Sequence, residues 1–137
     1  MPSTYTPLGV EKIATGENAG TWGTKTNTNL EIIEQISGGY KVQTLNSGSP
    51  AGAGASTTTL SKSDGATGAT VATRVIIMGA VSPEAITGNK ILTMPVLTEN
   101  FYIIKNSTSG AYTVQLKAAS GSGATVTWAT DDKGWKI

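Results

Sequence analysis

Apolar residues recur at three- and four-residue spacing in one stretch of the chain. Leu30, Ile33 and Ile36 (or Ile32) form that stripe and predict a helix over at least 29–37. Thr28-Asn29-Leu30-Glu31 has the form of a capping box, in which the threonine accepts from the backbone three residues on and the glutamate reaches back. Gly38 and Gly39 then supply the left-handed conformation a helix C-cap favours. An earlier start, near Thr21, would set Trp22, Asn29, Ile33 and Ile36 along one side. A helix this short is marginal alone. Its stripe must be buried against a sheet or against copies of itself.

Ahead of the helix the pattern is irregular. Pro2 and Pro7 hold their neighbours extended, Gly9, Gly16 and Gly20 interrupt any regular element, and Leu8, Val10 and Ile13 stand as isolated apolar anchors. This reads as an extended arm, either packed on a neighbouring surface or leading into its own domain. After the helix the period changes to that of strands. Tyr40 to Asn46 alternates, Thr57 to Ser61 is a short strand, and Arg74 to Val81 is a continuous apolar run of the kind buried on both faces. Lys90 to Met94 is another strand, closed by Pro95. Asn100–Asn106 and Tyr112–Lys117, joined by Ser107-Thr108-Ser109-Gly110, predict a hairpin, and so do Thr125–Trp128 and Trp135–Ile137, joined by Asp131-Asp132-Lys133-Gly134. Residues 46–56 have the composition of a flexible loop. About eight strands at roughly ten-residue spacing point to an antiparallel β-sandwich or jelly-roll-like domain. The expected organisation is an arm and helix over 1–39 and a mainly-β domain over 40–137.

Composition narrows the chemistry. Thr, Ser, Gly and Ala make 66 of 137 residues, and Cys and His are absent. No disulfide framework, Cys/His metal site, cysteine nucleophile or histidine base is available. Net charge is +1, with ten basic residues dispersed from Lys12 to Lys136, so a nucleic-acid footprint is not expected. No apolar run approaches ~18 residues, and the N-terminus lacks a basic and a hydrophobic segment. Neither a membrane partner nor secretion is expected. A low net charge and many β-branched residues argue against disorder.

The candidate catalytic groups are weak. Asp131 and Asp132 read as a solvated turn. Glu31 and Glu34 share a helix face, with one of them assigned to the capping box. Ser61-Lys62-Ser63 lies in a polar loop with no orienting partner. Gly52-Ala53-Gly54 opens no helix, and Asp64-Gly65-Ala66-Thr67-Gly68 lacks the carboxylates of a calcium loop. No enzyme activity, cofactor or metal is expected. Among the eight aromatics, Tyr102, Tyr112 and Trp128 are expected to fill the core, while Trp22, set between Gly20 and Gly23, fastens the arm to the body or to a neighbouring subunit.

The segment from Gly16 to Leu30, Gly-Glu-Asn-Ala-Gly-Thr-Trp-Gly-Thr-Lys-Thr-Asn-Thr-Asn-Leu, followed by Ile33-Glu34-Gln35 and Gly38-Gly39-Tyr40, resembles the N-terminal part of a family of tailed-bacteriophage virion structural proteins, marine ones especially. Phe101 to Val114 resembles the same family's β-domain. The resemblance implies a non-enzymatic tail fibre or related appendage, made in the host bacterial cytoplasm and carried in the virion. It also implies a homotrimer docked on another virion protein: tail, portal-proximal or major capsid. Many members continue into a shaft or receptor-binding end, whereas this chain stops at Trp135-Lys136-Ile137. Attachment is therefore expected ahead of receptor binding. Tyr5, Leu8, Val10, Trp22, Leu30, Ile33 and Ile36 are the expected oligomer or docking contacts. Two alternatives stand beside this reading: a capsid decoration (cement) protein with its arm laid across capsid neighbours by strand addition, and a carbohydrate-binding module using exposed aromatics.

Overall fold

The computed structural model describes residues 2–45, 57–79 and 85–137. The expected loop over 46–56 and the end of the apolar run toward residue 81 lie outside them. The chain is mainly β with one long helix. A two-stranded arm, β1 (Thr4–Tyr5) and β2 (Glu11–Lys12), precedes α1 (Trp22–Gly38). There follow β3 (Tyr40–Gln43), β4 (Thr57–Thr59), a 3₁₀ turn (Thr70–Ala72), β5 (Val75–Met78), β6 (Lys90–Met94), β7 (Ile103–Asn106), β8 (Val114–Ala118), β9 (Val126–Trp128) and β10 (Trp135–Lys136).

Strand pairing corrects the antiparallel expectation. The sheets are mixed, with order β10-β7-β5-β3 in one and β4-β6-β8-β9 in the other. From β3 to β8 successive strands alternate between the two sheets, so β5 adds parallel to β3, β7 to β5, β6 to β4 and β8 to β6. A chain that crosses to the opposite sheet and returns re-enters in the same direction. Parallel growth follows from that coiling. Only the last two strands reverse: β9 pairs antiparallel with β8 and β10 with β7. Both expected hairpins are therefore corrected. β7 and β8 belong to different sheets, and so do β9 and β10. Their connections carry turn-forming residues, but each turn moves the chain between layers.

One core joins the two sheets. Ile76 and Met78 of β5 and Ile104 of β7 meet Leu92 of β6, Val114 of β8 and Trp128 of β9 in a single buried cluster, with Leu60 and Val71 from the connections and Ile32 from the helix. At β9–β10 an apolar cleft of ≈ 250 Å³ remains, lined by residues including Tyr102, Leu116 and Trp128. The Tyr102 hydroxyl donates to Val71 O at 2.7 Å and Trp128 Nε1 to Gly134 O at 3.0 Å. Burial raises the Tyr102 phenol pKa, opposed in part by Asn100.

The helix begins where the earlier alternative placed it. Thr21 is its N-cap, without a side-chain capping bond, so Thr28 and Glu31 sit inside the helix and the capping box does not form. At the other end Gly39 is extended (φ −70, ψ 151) instead of left-handed. Glycine is required there for space: a Cβ at Gly39 would lie 2.6 Å from Gln35 O.

Candidate assembly surface

The arm is fastened to the helix by polar groups. Asn29 brackets the backbone of Glu11, accepting from its N–H at 2.9 Å and donating to its C=O at 2.9 Å. The amide thereby replaces the strand neighbour β2 lacks on that side. The Glu11 carboxylate is buried and meets Lys25 Nζ at 3.1 Å, while Asn18 Nδ2 donates to it at 3.2 Å. Burial by itself would raise its pKa, but the hydrogen bonds and the Lys25 charge outweigh that and hold the carboxyl below its ordinary value. The same contact raises Lys25. On its other side the arm touches the β body at Gly9, where φ is +87 and a Cβ would lie 1.9 Å from Ser63 O. Gly65 N–H donates to Gly9 O at 2.7 Å.

Lys25, Asn29, Ile32 and Ile36 fall at i, i+4, i+7 and i+11, one face of a helix. Lys25 and Asn29 hold Glu11, Ile32 is fully buried, and Ile36 packs against the core. Gln35 beside them donates to Ala69 O at 3.0 Å and Ala72 O at 2.9 Å, and accepts from Gly68 N–H at 2.9 Å. A second stripe runs beside this one. Trp22, Leu30 and Ile33 are 63%, 59% and 51% exposed. Glu34, one turn beyond Leu30, and Glu31 flank it in solvent. The helix is thus apolar on two sides, and the chain itself covers one of them.

The sheet that follows has the same asymmetry. In the β3-β5-β7-β10 sheet, Val42, Ile77, Lys105 and Trp135 align across all four strands, and Tyr40, Val75 and Ile103 form the neighbouring row. Successive residues alternate between faces, so these rows lie opposite the buried Ile76, Met78 and Ile104. Val42, Val75, Ile77 and Ile103 are half-buried and none belongs to the core cluster. Tyr40 and Trp135 are exposed. Lys105 Nζ lies 5.5 Å from the Trp135 ring centroid, and the Arg74 guanidinium lies 5.2 Å from that of the exposed Phe101. The expectation that the run at 75–78 is buried on both faces holds for only one of them. The other sheet has a polar exterior. Thr57, Gln115 and Thr127 line up with Ile91, and Thr59 and Thr93 with Lys117. Thr59 Oγ1 and Thr93 Oγ1 are 2.8 Å apart.

The expected contact residues therefore divide. Trp22, Leu30 and Ile33 stand together on the outer helix stripe. Ile36, Leu8 and Val10 pack against the chain's own core. Tyr5 in β1 is 39% exposed and lies over Gly65. Trp22 is exposed, and the arm is held instead to the helix through Glu11 and Asn29 and to the β body at Gly9. Tyr102 and Trp128 are buried as expected, whereas Tyr112 is 37% exposed. Sequence reasoning missed Glu11, whose only signal is a carboxylate between anchors in an arm, and the Tyr40–Trp135 face, which alternation alone cannot assign. Among the described residues no three Asp or Glu side chains gather as a metal-binding group, and no helix is long and apolar enough to cross a membrane. Compared with family models, with curated proteins and with solved structures, the chain matches none.

Proposed function

We infer that this chain is a structural protein of a tailed-bacteriophage virion, an appendage component that assembles with copies of itself and docks on another protein of the particle. The observation that carries the reading is the second apolar stripe of α1. Trp22, Leu30 and Ile33 stand more than half exposed on a helix whose other side is already committed to the core. Several large apolar side chains exposed along one helix face mark an association site, and closed homo-oligomers are the usual outcome. The resemblance of Gly16 to Tyr40 to appendage proteins supplies the biological setting and the threefold number.

The arm supports an appendage over a decoration protein. A cement protein of the kind outlined above lays its arm across neighbours, whereas here Glu11 is clamped between Asn29 and Lys25 of its own helix. Imaging of the assembled particle at side-chain resolution tests the assignment. A few oligomers at the tail are expected. Many copies spread over the head would instead make it a decoration protein, and absence from the particle would end the virion reading.

A further inference from the structure

Parallel sheets are normally covered on both faces, usually by helices. In the β3-β5-β7-β10 sheet the inner face meets the core, and the outer face presents Tyr40, Val42, Val75, Ile77, Ile103 and Trp135 to solvent or half to solvent. Among the described residues no helix covers that outer face. The outer stripe of α1, in turn, is an apolar helix face lacking a surface. We propose that each supplies the other between copies: the Trp22–Leu30–Ile33 stripe of one chain packs on the outer sheet face of the next, and the repeated contact closes a ring.

Charge selects this pairing over its alternatives. The carboxylates beside the helix stripe are Glu31 and Glu34, and the lysine of the same helix, Lys25, is held by Glu11. Among the described residues of the sheet face, Lys105 stands beside Trp135, while Arg74, beside Phe101, donates to Ile36 O at the C-terminal turn of α1. A twofold contact of helix on helix leaves Glu31 and Glu34 without a cation on the partner stripe, and one of sheet on sheet would bring the Lys105 cations together. Neither gains charge complementarity. Helix on sheet pairs opposite signs. It is a head-to-tail contact, which builds rings when its rotation closes.

Size agrees as well. Seventeen residues make a helix about 25 Å long, at ~1.5 Å per residue. The outer strands of a four-stranded sheet stand roughly 14 Å apart, so one helix spans the face. The aliphatic centre formed by Val42, Val75, Ile77 and Ile103 offers a sugar no hydrogen-bonding group, which favours a protein surface as the occupant.

The proposal rests on the self-assembly reading above and is tested separately from it. The chain contains no cysteine, so I33C and I77C can be joined by a short bismaleimide without background. Mixing the two variants is expected to give a covalent dimer that neither gives alone, and the I33C/I77C double variant a closed covalent oligomer on a denaturing gel. E34K and K105E should each weaken association by roughly two- to fivefold, and the pair together should recover most of it. Circular dichroism of each variant checks that it folds. Linking within I33C alone, or within I77C alone, overturns the geometry in favour of a twofold contact. An oligomer that leaves Cys-substituted position 77 open to a bulky maleimide also overturns it and gives the sheet face to a different partner. A chain that stays monomeric overturns both this proposal and the self-assembly reading.

Discussion

Glu11 is the residue on which the placement of the arm turns. Its carboxylate is buried, yet its pKa is lowered, because Lys25, Asn18 and Ser3 favour the charged form more than burial disfavours it. The sign for stability follows from linkage. A group with a depressed folded-state pKa contributes fully above its unfolded value, near 4.5, and that contribution is lost as pH falls through the lower folded value. The arm should therefore loosen on acidification while the β body stays folded, read as amide exchange at Thr6, Val10 and Glu11 rising before exchange in β5 and β7. E11Q should remove that pH dependence. Asn29→Ala takes away both bonds to the Glu11 backbone and should lower stability by about 2 kcal/mol in chemical denaturation. Gly39→Ala should also destabilise, since its Cβ would meet Gln35 O at 2.6 Å. The need for glycine at 39 was legible in the sequence, but its cause was not. A Gly-Gly pair after a helix suggests a left-handed cap, whereas the backbone here is extended and only the missing side chain matters.

At the scale of elements, α1 was legible as a helix because its apolar positions repeat, and Trp22, Leu30 and Ile33 were legible as contact candidates. Ile36, Leu8 and Val10 look identical in hydrophobicity, yet they turn inward. The phase of a helix against its body depends on residues far away, among them Ala69 and Ala72, which receive Gln35. Strands were legible as alternation or as apolar runs, but their partners were not. Ser107-Thr108-Ser109-Gly110 has hairpin chemistry, and the chain uses it to pass from β7 in one sheet to β8 in the other. Nothing local distinguishes a turn within a sheet from a crossing between sheets. If the outer helix stripe serves assembly, Leu30→Asp and Ile33→Asp should lower the association constant at least tenfold, seen in sedimentation. They should leave the circular dichroism of the dissociated chain unchanged. Ile32→Ala, fully buried, should do the opposite, costing about 2–5 kcal/mol of stability.

The whole molecule carries two unmatched surfaces. The chain builds two sheets around one core and closes both at one end with reversed strands. It leaves one sheet polar outside, and the other apolar outside beside a helix with a free apolar stripe. A composition of nearly half small residues, with few charges and no His or Cys, suits a part that is assembled and then stays in place. Self-association of the chain underlies both proposals. Light scattering coupled to size exclusion measures its molar mass directly. A stable species at a whole multiple of the 14.0 kDa chain, three by the appendage reading, is expected at micromolar concentration and physiological salt. A single species at the mass of one chain under those conditions would contradict it.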